Sequence, residues 1–392
     1  MRIINILLLF FSFLTVEAKS LNETALESLK NHRNKTNYSI IVLGDSRNRK
    51  VIPAEEEGVG DSVLSVIVSS VNKITPPPVF AIHGGDLSLI GKKFELERYA
   101  NIVGNSKIPW LSVRGNHELY SDSSSIYYNE IIGDTDYVFD IGKIRYIVIS
   151  SCHPKRIKNK NYSDYFISRK EIIWLDSLLD DAKANGFNPV IFSHVPPCLP
   201  PEYGWHCLGD KKSYPKPNIE KSNVKTFLSI LKYYNVHLAI FSHIHHYDSF
   251  VKDGITFVIT GGAGAPRYKE FKRGIPVYHF IKMSIFGGDS LIGYVYSPQG
   301  TKIDSIRPIK VYFDSKIKQP STRFKCIRKN NGFEFKFDSP LVREIIISDI
   351  LGKTLFDTTS INDRISFPLK RFHFYRYKIK TGNNISKGTF YN

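Results

Sequence analysis

The run Val236-His237-Leu238-Ala239-Ile240-Phe241 empties into Ser242-His243-Ile244-His245-His246-Tyr247-Asp248. Its six leading residues read as a buried strand. Three histidines then stand just past the strand end, where packing gives no reason for them. In an extended segment His243 and His245 project to one side, because side chains alternate with period two. Imidazole is a common metal ligand near neutral pH, so two converging rings suggest the edge of a metal site. Taken alone, a polar histidine-rich turn accounts for the stretch equally well.

Four upstream sites decide between the two. Ile40-Ile41-Val42-Leu43 runs into Gly44-Asp45-Ser46-Arg47, and Val79-Phe80-Ala81-Ile82 into Gly85-Asp86-Leu87-Ser88. Trp110-Leu111-Ser112-Val113 runs into Gly115-Asn116-His117-Glu118, and Val190-Ile191-Phe192 into Ser193-His194. Each time a buried strand delivers Asp, Asn or His to its C-terminal end, the edge at which α/β sheets bind ligands. Strands alternate with helical patterns over most of the chain, which argues an α/β fold.

The order Gly-Asp, Gly-Asp, Gly-Asn-His-Glu, His and x-His-x-His, spread over residues 38 to 265, resembles the calcineurin-like metallophosphoesterase superfamily. Gly85-Asp86-Leu87-Ser88, Gly115-Asn116-His117-Glu118 and His243-Ile244-His245-His246-Tyr247 are similar to its purple acid phosphatase branch and that branch's secreted relatives. The resemblance implies a four-layer αββα sandwich and a hydrolase of phosphate esters, monoesters first. It implies two divalent or trivalent metal ions, with Asp86 bridging them. Asp45 and His245 would bind the first ion, and Asn116, His194 and His243 the second. A hydroxide between the metals would attack phosphorus, with His117 beside the leaving oxygen. Mixed oxygen and nitrogen donors suit Fe, Mn or Zn better than Mg or Ca.

Two positions depart from that pattern. Arg47 stands where the superfamily usually has His, and Leu89 where the purple branch usually has Tyr. The first metal thus loses ligands, and no ferric-tyrosinate colour is expected. Arg47 is expected to clamp the phosphate, since guanidinium matches phosphate oxygens in a bidentate way. The rival places it on the Glu55-Glu56-Glu57 loop. His83, His153 and His237 are expected to be structural and His246 to lie behind the ligands. His206 either lines the substrate pocket or is structural. The recognition loops are expected at Tyr120–Ile132 and 199–217.

The 392 residues allow two or three domains. The formal charge of +17 is spread along the whole length, so it favours anionic substrates by steering and gives no nucleic-acid stripe. Residues 1–18 read as a secretory signal, with Arg2, an apolar Ile3–Leu14 run too short for a bilayer span, and Val16-Glu17-Ala18 as the cleavage site. This implies a secreted or cell-surface protein in which Cys198 and Cys207 are the best disulfide pair of four cysteines. Residues 19–36 are expected as a flexible leader, 37–300 as the phosphoesterase domain and 301–318 as a linker.

From 319 to 392 the pattern turns to period-two strands, which argues a small all-β sandwich. Asp349-Ile350-Leu351-Gly352-Lys353 and Tyr377-Lys378-Ile379-Lys380-Thr381-Gly382-Asn383 resemble the C-terminal sorting domain of the type IX (Por) secretion system. Leu369–Tyr375 lacks the Pro and Gly of that pattern, and an accessory β-module is the other reading. Two functions stay open: a secreted phosphoesterase, or a surface binding or structural protein that keeps the fold with an impaired metal site.

Overall fold

The computed structural model describes residues 19–310, apart from 54, 198–205 and 209–222, and then the strands lying between 324 and 391. In the first sheet β1 (Tyr38–Leu43), β2 (Ala81–His83) and β3 (Trp110–Ser112) run parallel. Beyond β1 the sheet continues antiparallel through β12 (Phe280–Phe286), β13 (Ser290–Tyr296) and β14 (Lys302–Lys310). The second sheet has parallel β5 (Ile144–Val148), β8 (Asn188–Phe192), β9 (Leu238–Phe241) and β11 (Ile255–Thr260). Antiparallel β4 (Tyr137–Ile141) and β10 (Tyr247–Lys252) form its edges.

Side-chain alternation turns these strands into four layers. Ile40, Val42, Ile82 and Leu111 of the first sheet share one apolar layer with Val190, Phe192, Leu238 and Ile240 of the second. Their neighbours Ile41, Leu43, Ala81 and Trp110 face outward onto α2 (Val59–Val71), α3 (Lys93–Gly104) and α4 (Ser124–Ile131), meeting Leu64, Ile67, Leu96, Tyr99 and Tyr128. Ile191, Ala239 and Phe241 likewise meet Ile172, Leu175 and Leu179 of α5 (Arg169–Asn185) and Phe227 and Ile230 of α6 (Val224–Tyr233). Strands covered on both faces need apolar residues at every position, which is why these runs are continuous. Ser168 and Glu171 cap α5 reciprocally, and Gly186 closes it at φ 72°.

Two expectations are corrected. Residues 19–36 are no flexible leader, because Ser20 and Glu23 form a capping box that starts α1 (Leu21–Leu29). Asn22 on that helix accepts from Ser112 N at 2.8 Å and donates to Ser112 O at 3.1 Å, so it stands in for the missing neighbour of edge strand β3. The expected linker begins with β14, whose Ile306 and Ile309 join the inter-sheet layer. α2 starts at Val59, two residues ahead of Asp61. The remote Asn48 side chain accepts from Gly60 N at 2.8 Å, while Asp61 serves inside the first turn by accepting from Gly58 N at 2.9 Å.

The C-terminal strands form two further sheets. One holds β15 (Phe324–Lys329), β16 (Gly332–Phe337) and β19 (Arg364–Phe367). The other holds β17 (Arg343–Asp349), β18 (Thr354–Ser360), β20 (Phe374–Thr381) and β21 (Asn384–Tyr391). Phe335, Phe337, Ile345, Ile347, Phe367 and Ile379 make their common core. Residues 350–353, 368–373 and 382–383, which carry most of the sorting-domain resemblance, lie outside the described residues.

Candidate metal centre

Parallel pairing sets the C-terminal ends of the strands side by side, with Leu43 opposite His83, His83 opposite Ser112, and Phe192 opposite Ile240. The loops that follow meet over the seam between the sheets. Their approach is close enough that a Cβ on Gly44 or Gly84 would lie 2.1 or 2.0 Å from Ser242 Oγ, so both positions require glycine. Asp45, Asp86 and His243 hold left-handed backbone at φ 60°, 57° and 68°. For residues with a Cβ this is strain of the sort that collects at functional sites.

The histidine segment departs from the extended form expected of it. Ile244 N donates to Ser242 O at 2.7 Å and His246 N to Ile244 O at 2.6 Å, two successive three-residue turns. His243 and His245 therefore serve different halves of the centre. Ligand atoms of Asp86, His194 and His243 lie within 4.8 Å of one another, and so do those of Asp45, Asp86 and His245. All five side chains are buried. Asn116 joins the former group, its Oδ1 lying 3.1 Å from His194 Nε2.

Lone pairs converge in both groups. His194 Nδ1 lies 2.8 Å from Gly84 O, and a carbonyl only accepts, so the Nδ1 proton points there. In the neutral ring Nε2 then offers a lone pair, yet it faces Asp86 Oδ1 at 3.2 Å, Asn116 Oδ1 and His243 Nδ1 at 3.2 Å. His245 repeats the arrangement, with Nδ1 2.6 Å from Pro266 O and Nε2 3.3 Å from Asp45 Oδ1. Asp45 Oδ1 is buried without a hydrogen bond. Acceptors facing acceptors in a buried site fit a cation between them. Burial pushes the His194 imidazole down, but without an ion the Asp86 and Asp45 carboxylates outweigh it and lift it to about 9, so a proton on Nε2 satisfies these acceptors until a cation displaces it. Burial likewise pushes the Asp86 carboxyl up, and His194, His117 and Arg47 overcome it and hold the group well below its usual range.

His117 directs Nδ1 to Leu89 O at 2.5 Å and Nε2 towards Asp86 Oδ2 at 3.8 Å. Burial lowers this imidazole to about 4. Arg47 turns into the centre, with its largely buried side chain placing Nε 3.6 Å from Asp86 Oδ2. His83, at the end of β2, accepts from Gly85 N at 3.3 Å, and His153 lies 3.3 Å from Glu171. His237 pairs with Asn235 Nδ2 at 3.0 Å. Buried His246 lies against Phe271, with the ring centroids 5.6 Å apart. His206 is buried with its ring 5.9 Å from His243 and 4.9 Å from Tyr268. Most of the expected recognition loop 199–217 lies outside the described residues.

Several contributors were given no role by the sequence. The Glu118 carboxylate accepts from Asp86 N, Gly115 N and Ser88 N at 2.8–3.0 Å and so fastens two loops together. Tyr120 OH receives Asn116 Nδ2 at 2.6 Å, which turns the amide oxygen towards His194. Tyr165, at the base of the β6–β7 hairpin (Cys152–Ile157 and Lys160–Tyr165) where it pairs with Cys152, sets its ring edge-on to His243 at 5.2 Å. Tyr268 stacks on His245 at 4.2 Å. Only the Glu118 position follows from a motif. The tyrosines arrive from distant segments by tertiary folding.

A family model described as calcineurin-like phosphoesterase matches residues 22–247, more than half of the chain. No curated protein matches. Among solved structures, a purple acid phosphatase from yellow lupin (Lupinus luteus) seeds aligns with TM-score 0.50 and 14% identity, covering 70% of this chain. The match spans 54%, about half, of the lupin protein. GAP50, the anchor in the inner membrane complex of Plasmodium, aligns with TM-score 0.44 and 12% identity, over 72% of this chain and 91% of its own.

Proposed function

Because the chain belongs to the calcineurin-like phosphoesterase family, we propose that it hydrolyses phosphate monoesters of small molecules at the centre built on Asp86. The observation that carries this reading is the convergence of buried acceptors on both sides of that carboxylate. Asp45, Asp86 and His245 would hold one ion, and Asp86, Asn116, His194 and His243 a second, with Fe, Mn or Zn suited to the donors. Bound there, the ions would supply Lewis acidity and a water acidified towards neutral pH. The chain's own groups do the rest. Asp86 belongs to both groups and so could be shared between the two ions. Arg47 and His117 both face Asp86 Oδ2, which puts a fixed positive charge and a ring nitrogen beside that oxygen. Tyr268, Phe271 and His206 form an aromatic wall beside them.

The test is metal analysis of the purified protein, then a panel of nucleotides, sugar phosphates and phosphodiesters assayed with Mn, Fe or Zn added back. Metal-dependent turnover strongest on monoesters is expected. A protein that holds no metal and hydrolyses nothing on the panel would sink the reading. It would favour instead the surface binding or structural role, to which Arg47 lends support because a guanidinium cannot ligate.

Export is part of the same proposal. Residues 1–18 would be removed and Cys198 would bridge Cys207, while residues 319–392 would hand the protein to a secretion or surface-attachment machinery. Among the described residues no helix is long and apolar enough to cross a membrane. A non-reduced peptide map of the exported protein should begin near Lys19 and contain the bridged pair. Deleting 319–392 should leave hydrolysis intact and stop delivery. Unchanged export with lost activity would instead make the β-module part of the enzyme.

A further inference from the structure

We propose that the half of the centre at Asp45, Asp86 and His245 takes its cation only together with a phosphate-type oxyanion, and that Arg47 enforces this coupling. The proposal rests on the phosphoesterase reading above and concerns the order in which its site fills.

The two oxygens of Asp86 have different neighbours. Oδ1 lies 3.2 Å from His194 Nε2 and receives His117 N at 3.1 Å, so it belongs to the half that contains His243. Oδ2 is the oxygen left for the Asp45 and His245 half, and Arg47 already stands over it, with Nε at 3.6 Å. That Nε is buried and has no hydrogen bond. The guanidinium stays protonated and has no lone pair to offer a metal. A divalent ion placed here would meet a fixed like charge within a few ångströms. The side chain is only 13% exposed, so solvent screens that repulsion weakly.

An anion between the two charges removes the conflict. A tetrahedral oxyanion can present one oxygen to the cation and two to the guanidinium, the bidentate geometry that arginine favours. The His194 half has no such conflict and fills alone. Coupling of this kind is reciprocal, so the ion must raise affinity for phosphate by the same factor as phosphate raises affinity for the ion.

The experiment titrates the metal-free full chain with Mn2+, with and without inorganic phosphate, and counts bound ions by equilibrium dialysis. Without phosphate we expect about one tight ion per chain, the second binding at least ~10-fold more weakly than when phosphate is present. Arg47→Met keeps the bulk and removes the charge, so it should bind two ions without phosphate and lose most of the coupling. Arg47→Lys should keep it. Two equally tight ions in the wild type without phosphate, or coupling unchanged in Arg47→Met, overturns the proposal and leaves the phosphoesterase reading standing. No bound Mn2+ under any condition overturns both. The wild-type titration decides even if a variant does not fold.

Discussion

His194→Ala and His243→Ala should each strip the centre of its tightest ion and lower turnover by at least ~100-fold, the upper end of the loss expected when a group that merely orients a ligand is removed. His194 Nε2 is the meeting point of Asp86 Oδ1, Asn116 Oδ1 and His243 Nδ1, all within 3.2 Å. Removing that ring leaves two oxygens and one imidazole around a space that water fills, and water is a poorer donor than a fixed nitrogen. Removing His243 deletes the other nitrogen of the same group. Its backbone stays strained at φ 68°, and alanine bears the same strain there as histidine. Metal content after dialysis, with melting temperature of the metal-free forms as control, separates lost ligation from lost folding. Near-wild-type turnover in a metal-replete assay with either variant would show that other groups carry the chemistry.

The parts of this centre that were legible in the sequence share one property: each is local. A continuous apolar run followed by Gly-Asp says both that a strand is covered on two faces and that its end delivers a carboxylate, and the sheets place Asp45 and Asp86 accordingly. The expectations that failed depended on distant partners. Residues 19–36 are polar and lysine-rich, and nothing nearby announces that Asn22 pairs with the edge strand 90 residues away. Period two predicted that His243 and His245 share a side, whereas the positive φ at His243 sends them to different halves. At that residue His243 N donates to Asp45 Oδ2 at 2.8 Å, a contact between the loops of the two sheets. Tyr120, Tyr165 and Tyr268 look like ordinary apolar-polar residues until tertiary folding sets them around the ligands.

His117→Ala should lower kcat/KM for alkyl phosphates by ~10²–10⁴-fold, the range for losing a positioned proton donor, while p-nitrophenyl phosphate suffers far less. The ring's orientation is the reason. Nδ1 gives its proton to Leu89 O at 2.5 Å, so only Nε2, which faces the Asp86 side, can pass a proton to a departing oxygen. It can do so only as imidazolium. Burial opposes that form and places the group at about 4, against the Asp86 carboxylate, which favours it. The proton-bearing state is therefore a state of acid solution, and alkyl-phosphate turnover should fall as pH rises through that titration. An alkoxide leaves badly without a proton, whereas p-nitrophenolate leaves as the anion. Removing the donor should thus cost the alkyl ester most and flatten that fall with rising pH. Phosphate affinity should change little, because Arg47 still supplies the positive charge on that side. Equal losses on both substrates, with the pH profile unmoved, would mean that His117 only holds the loop between Asn116 and Leu89, and the proton would have to come from elsewhere.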